Sequence, residues 1–203
     1  MKTMLVLSMG ALLLAGTLSA QTPVPEWQAG VDKMKSLIQT NPAQASEEVG
    51  ELLKGKNKKN VDLVTSVAHV YLDAGKLTEA QEYLAMAKKA DNKDPKVSVL
   101  EGDIALAQKN IGQACQLYEQ AIYFDPNCKE AYLKYAQAYK SASPALAIEK
   151  LEQLKAVAPN CLEADRELAE VYYSSNRFGK AAEMYAKFID TPLATEDDML
   201  KYA

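Results

Sequence analysis

Residues 95–128 read PKVSVLEGDIALAQKNIGQACQLYEQAIYFDPNC, and residues 162–195 read LEADRELAEVYYSSNRFGKAAEMYAKFIDTPLAT. In each stretch a small residue (Gly102, Ala169) is followed twelve positions on by alanine (Ala114, Ala181) and four further on by tyrosine (Tyr118, Tyr185). The same columns run outward in both directions. Small residues stand at Ala68, Gly102, Ala136, Ala169 and Ala203, at intervals of 34, 34, 33 and 34. A second column holds Ala80, Ala114, Ala147 and Ala181, and four residues later come Leu84, Tyr118, Leu151 and Tyr185. Tyr71, Tyr139 and Tyr172 add a third, and Pro95, Pro126, Pro159 and Pro192 keep nearly the same step. Several columns sharing one period of this length signal stacked structural repeats, which takes precedence over any division into unrelated domains.

Each period reads as two helices. In 61–94, Val64, Val67, Ala68, Tyr71 and Leu72 form one apolar stripe at helical spacing, Gly75 breaks it, and Leu77, Ala80, Leu84 and Ala87 form a second. Alanine in the paired columns lets two helices approach closely, and the Leu or Tyr four residues on fills the space above. Asn60, Asp94-Pro95 and Ser143-Pro144 place capping side chains before first turns, and Thr195 with Asp198 has capping-box spacing. The spacing predicts helix pairs at 61–74/77–90, 95–108/111–124, 129–141/144–157 and 162–175/178–190.

These residues resemble the tetratricopeptide repeat, a helix-turn-helix unit of about 34 residues. The units are 61–94, 95–128, 129–161 and 162–195. Gly102, Ala114, Tyr118, Ala121 and Pro126 match the family pattern closely, as do Ala169, Tyr172, Phe178, Ala181 and Tyr185. Tyr132 is the nearest counterpart of the family's first-helix tryptophan, the unit 129–161 is one turn residue short near Ser143, and Asn92 stands where proline is usual. The resemblance implies an all-α fold, a right-handed α-solenoid with a concave groove lined by first helices. Residues 27–60 stay in phase but lose the small-residue columns (Met34, Ser46), so 21–60 is read as an extended tail followed by a divergent capping helix pair, with Trp27 packed over its end.

Met1-Lys2-Thr3, the apolar run Met4 to Ala15, and the small residues Gly16 to Ala20 read as a secretory signal peptide over 1–20. The run is short for a membrane span, although an uncleaved N-terminal anchor is the rival reading. No cysteine precedes Cys115, so there is no thiol there for lipidation. The expected compartment is the periplasm, with secretion as the alternative, and no transmembrane span is expected after cleavage.

Among 203 residues 48% are apolar and 25% charged, the balance of a folded chain. A net charge of −4 with only two arginines, Arg166 and Arg177, argues against nucleic acid as a partner. One histidine and three cysteines supply little for a metal site, and no phosphate loop, nucleophile elbow or HExxH pattern occurs. Neither catalysis nor a cofactor is therefore implied. Cys128 and Cys161 share a column, but stacked helices about 8–10 Å apart hold Cα atoms beyond disulfide reach; Cys115, Cys128 and Cys161 are expected as packed free thiols, with a mixed disulfide to a partner as the alternative. Lys54, Lys56, Lys58 and Lys59 read as a solvated turn or a contact to phosphate-rich surface.

By the resemblance, the groove is lined by the second, fifth, ninth and twelfth positions of each first helix. Those are Asp62, Thr65, His69 and Leu72; Lys96, Val99, Asp103 and Leu106; Glu130, Leu133, Gln137 and Lys140; Glu163, Arg166, Glu170 and Tyr173. His69 is read as a lone solvent-facing imidazole, with ligand contact as the alternative. The fifth and ninth positions lack the lysine and asparagine with which some members clamp a terminal carboxylate. The resemblance implies an exported scaffold or adaptor with a protein or peptide in the groove. A glycan or small-ligand binder is the alternative, for which Tyr173 supplies one groove aromatic. Residues 196–203 open a fifth unit whose second helix lies beyond Ala203, so the chain is expected to be the repeat part of a longer protein, with room for a separate C-terminal domain.

Overall fold

Capping residues and left-handed turns divide the chain into paired helices. The computed structural model describes residues 24–203, and the signal-peptide reading of 1–20 lies outside the described residues. The helices are α1 (Gln28–Leu37), α2 (Pro42–Leu52), α3 (Val61–Asp73), α4 (Leu77–Ala90), α5 (Pro95–Ala107), α6 (Ile111–Phe124), α7 (Lys129–Tyr139), α8 (Pro144–Val157), α9 (Leu162–Ser174), α10 (Phe178–Tyr185) and α11 (Glu196–Tyr202). A 3-10 turn over Gly55–Lys59 carries the lysine cluster, where Lys54 pairs with Glu51 at 2.6 Å.

The turns inside the pairs share one construction. Gly75, Lys109 and Asn176 adopt φ of +73°, +63° and +58°. The next N–H in each case returns to a carbonyl five residues back: Lys76 to Tyr71, Asn110 to Ala105, Arg177 to Tyr172, all at 2.9 Å. That bond closes the helix end in a Schellman geometry. The connection before α8 has no left-handed residue, and Ala136 to Ala147 is one position shorter than Gly102 to Ala114, which is the missing position near Ser143.

First helices begin at a column of caps. Asn60 Oδ1 accepts from the Leu63 N–H, Asp94 from Lys96, and Thr195 with Asp198 forms a reciprocal capping box. Cys128 and Cys161 occupy the same place before α7 and α9, and neither side chain makes a capping bond. Cys128→Asn is therefore expected to stabilise the protein by about 0.5–1 kcal/mol, seen as a raised urea midpoint with unchanged slope. Ser143 precedes α8 but makes no side-chain cap, contrary to the sequence reading. All three thiols are free, Cys115 and Cys161 are buried, and burial pushes the Cys115 thiol up to about 11, away from reactive thiolate.

The alanine columns are the packing seam. Ala80, Ala114 and Ala147 are fully buried, Ala181 is 1% exposed, and Tyr118, Leu151 and Tyr185 are fully buried above them. α3 packs on α4 and α5, α5 on α6 and α7, and α7 on α8 and α9, so each first helix lies beside the next. This is the all-α solenoid that the resemblance implies, built from the helix pairs expected from the period, with two corrections. α10 ends at Tyr185, and residues 186–190 continue as turns, where spacing predicted helix to 190. In the first pair the spacing between the two columns, Met34 to Ala45, is one position shorter than in the second, so Ala45, fully buried, replaces Ser46 in the small-residue column.

Candidate partner-binding groove

The first helices α3, α5, α7 and α9 are tied to one another by polar links, and each link joins residues about one repeat apart. Lys96 pairs with Asp62; His69 Nε2 lies 3.1 Å from Asp103 Oδ2; Lys134 Nζ reaches Asp103 Oδ2 at 3.0 Å; Gln137 Nε2 donates to Glu167 at 2.8 Å. Arg166 Nη2 lies 3.1 Å from Asp198, and Lys201 donates to Glu170 at 2.8 Å, so α11 makes the contacts of a further first helix.

Two of these links are built alike. Asp103 accepts from the Tyr118 hydroxyl at 2.7 Å and from Lys134. Glu170 accepts from the Tyr185 hydroxyl at 2.8 Å and from Lys201. In both, the tyrosine is 15 residues and the lysine 31 residues after the acid. The ninth-position acid thus joins its own second helix to the next first helix. The other two units carry His69 with Leu84 and Gln137 with Leu151, which leaves no hydroxyl for such a link.

Asp103 is more enclosed than Glu170, at 8% exposure. Burial alone raises its pKa, but the hydrogen bonds from His69 and Tyr118 and the charge and hydrogen bond of Lys134 outweigh burial, and the net effect lies below the ordinary 3.8. A folded-state value below the unfolded one means stability that is fully present above about pH 4 and is lost as pH falls through the folded value. Asp103→Asn is expected to flatten the pH dependence of the urea midpoint between about pH 5 and 2; an unchanged slope there would remove Asp103 from the acid response.

The expected groove residues fall into three kinds. Thr65, Val99 and Asp103 are buried, at 4%, 1% and 8% exposure, and make its floor. His69, Leu72, Leu106, Leu133, Lys140, Arg166, Glu170 and Tyr173 are half-buried walls, and Lys96 and Gln137 are exposed. Thr65, His69, Lys96 and Val99 meet in one cavity of about 330 Å³, and Asp103, Leu106 and Gln137 meet in a second of about 460 Å³. Leu72, Leu133, Lys140, Arg166, Glu170 and Tyr173 lie outside both. Lys140 stands 3.9 Å from Glu167 and from Glu170.

His69 is not the lone imidazole the sequence reading made it. Its Nε2 must carry the hydrogen, because an ionised Asp103 can only accept. The pair is partly solvated, so His69→Ala is expected to cost no more than about 1 kcal/mol by thermal unfolding.

Sequence reasoning missed Trp27, Lys134, Glu167 and Lys201. Trp27 packs against the core of the first repeats, as expected of an end residue, but it also walls the first cavity beside His69. Nothing in the period points to Trp27, which precedes α1. The Tyr118 and Tyr185 links had a visible signal: tyrosine replaces leucine only in the two units whose ninth residue is acidic.

The family model described as tetratricopeptide repeat matches residues 66–127 and 137–194. No curated protein matches the chain in sequence. Among solved structures, the fold is similar to PilW, described as a widely conserved type IV pilus biogenesis factor (18% identity, 86% of this chain and 81% of that one, TM-score 0.65). It is also similar to a thermophilic protein of the same repeat class from Thermus thermophilus (19% identity, 86% and 96%, TM-score 0.66). A third is YrrB, described as having an unusual peptide-binding site (16% identity, 84% and 89%, TM-score 0.55).

Proposed function

Because the chain belongs to the tetratricopeptide repeat family, we propose that it is a non-catalytic adaptor of the bacterial cell envelope that holds an extended protein segment in its concave groove. The repeats in this reading are 61–94, 95–128, 129–161 and 162–195, with 21–60 as the N-terminal tail and divergent capping helix pair. The observation that carries it is the rigid row of first helices, cross-linked by Asp103 and Glu170, with half-buried apolar side chains left between the polar links (Leu72, Leu106, Leu133 and Tyr173). A preordered surface of this kind binds without the entropy cost of ordering itself first. Half-buried leucines and a tyrosine beside uncharged Gln137 suit an extended peptide, with side chains entering cavities and main chain facing polar groups. Among the described residues no helix is long and apolar enough to cross a membrane.

Export rests on the order of charge, apolar run and small residues in 1–20. The envelope reading is supported further by the fold shared with PilW, a pilus biogenesis factor, and the peptide reading by the fold shared with YrrB. Photo-crosslinking in the periplasm tests both. A benzophenone amino acid placed at Leu106 or Gln137 is expected to give discrete protein adducts. The same group at Tyr123, 83% exposed and on a second helix, is expected to give none. Glycan capture without a protein adduct, or equal adducts from Tyr123, would overturn the adaptor reading.

A further inference from the structure

We propose that the cavity at the N-terminal end of the groove is a subsite for a basic side chain of the bound peptide, with an arginine guanidinium as its best occupant. The inference rests on the adaptor reading and names what one end of the partner carries. The cavity encloses about 330 Å³, the scale of one large side chain, and is assembled from four places: Trp27 ahead of α1, Asp62 and His69 on α3, Lys96 at the start of α5, and Glu130 at the start of α7.

Its hydrogen-bonding inventory leans toward acceptors. The Thr65 hydroxyl donates to the Val61 and Asp62 carbonyls, and the Ser66 hydroxyl donates to the Asp62 carbonyl. His69 Nε2 donates its hydrogen to Asp103, and Lys96 is paired with Asp62. The hydroxyl and imidazole donors of the lining therefore point into the protein. The acceptors left for a guest are the Glu130 carboxylate, which has no ion-pair partner among the described residues, and the second Asp62 oxygen; the donors left are the Trp27 indole N–H and the remaining Lys96 N–H bonds.

Charge follows the same direction. Asp62 and Lys96 cancel, His69 faces the Asp103 carboxylate, and Glu130 leaves the cavity with a net negative charge beside the Trp27 indole. A guanidinium meets all three features: it carries five donors and no acceptor, it can take a carboxylate with two parallel bonds, and its flat cation lies favourably on an indole face. A neutral sugar, the other common companion of tryptophan and carboxylates, would leave the net negative charge of the cavity without a counter-charge.

Trp27 is the single tryptophan of the chain, so its emission reads this end of the groove; it also borders a hollow with Glu48 and Glu51, and the Glu130 variants tell the two apart. The protein is titrated with an acetylated, amidated Gly/Ser peptide carrying one arginine, with the same peptide carrying citrulline, and with a chito-oligosaccharide. The arginine peptide is expected to give a saturable change in Trp27 emission, and the citrulline peptide, which keeps shape and loses charge, is expected to give none over the same range. Glu130→Gln should weaken the arginine peptide about tenfold, the loss of one charge-assisted bond. Glu130→Asp should recover part of it, and circular dichroism should show both variants folded. An equal response to citrulline, a saturable response to the sugar alone, or no response to any probe would overturn the subsite. If Leu106 and Gln137 still crosslink a protein in that case, the subsite alone is wrong and the adaptor reading stands.

Discussion

Ala114→Leu and Ala181→Leu are each expected to destabilise the protein by about 3 kcal/mol, the upper part of the range for overpacking a filled core. Ala114 is fully buried and Ala181 is 1% exposed, beneath Tyr118 and Tyr185, which are themselves fully buried. Three added carbons have no void to enter, so the paired helices must separate or a tyrosine must leave its acid. Ala156 is exposed on α8, and Ala156→Leu should change stability by no more than about 0.5 kcal/mol. Urea unfolding of the three variants ranks them. If Ala156→Leu cost as much as Ala114→Leu, the alanine seam would not be the place where helices meet.

Gly102→Ala is expected to cost about 2 kcal/mol, and the cost should fall when Asp103→Glu is added. A Cβ at Gly102 would stand 2.5 Å from Tyr118 Cε1, 2.8 Å from Cδ1 and 3.0 Å from Cζ, well inside van der Waals contact. The ring is held there because its hydroxyl bonds Asp103, the neighbour of Gly102 in sequence. The fourth repeat meets the same demand differently. There Ala169 precedes Glu170, and Tyr185 bonds the longer carboxylate at 2.8 Å. One more methylene lets the acid reach outward, so the ring can stand off far enough to admit a methyl group. Gly-Asp and Ala-Glu are thus two solutions to one packing problem. A double-mutant cycle by urea unfolding should show favourable coupling between the two changes, whereas simple additivity would mean that acid length and backbone approach are independent.

The helix pairs were legible because their determinants are local and repeat. Gly75 breaks a stripe, Asn60 and Asp94 start helices, and Ala80, Ala114, Ala147 and Ala181 return in step, so each unit reports on the next. Where the period slips by one residue, as before α2, the column assignment slips with it, from Ala45 to Ser46. The early end of α10 was not legible either: Lys187 and Ile189 continue an acceptable helical pattern, yet the chain turns from residue 186 and Phe188 enters the core fully buried.

The groove was legible as a list of positions and not as a surface. Counting along first helices named Thr65, Val99 and Asp103 as lining residues, but whether a side chain makes the floor or a wall depends on how far the next helix leans over it. His69 illustrates the same limit. Its partner lies 34 residues away, and only the stacking of α3 on α5 brings Asp103 to 3.1 Å. By itself the sequence determined the helix-pair register and the packing seam, because short-range periodicity and residue size dictate those, while the groove positions came from the family resemblance. The tertiary structure alone decided which acids are clamped by lysines a repeat away, and that Trp27 folds back beside His69, because those contacts depend on the angle between successive pairs and on a segment that has no period to be read.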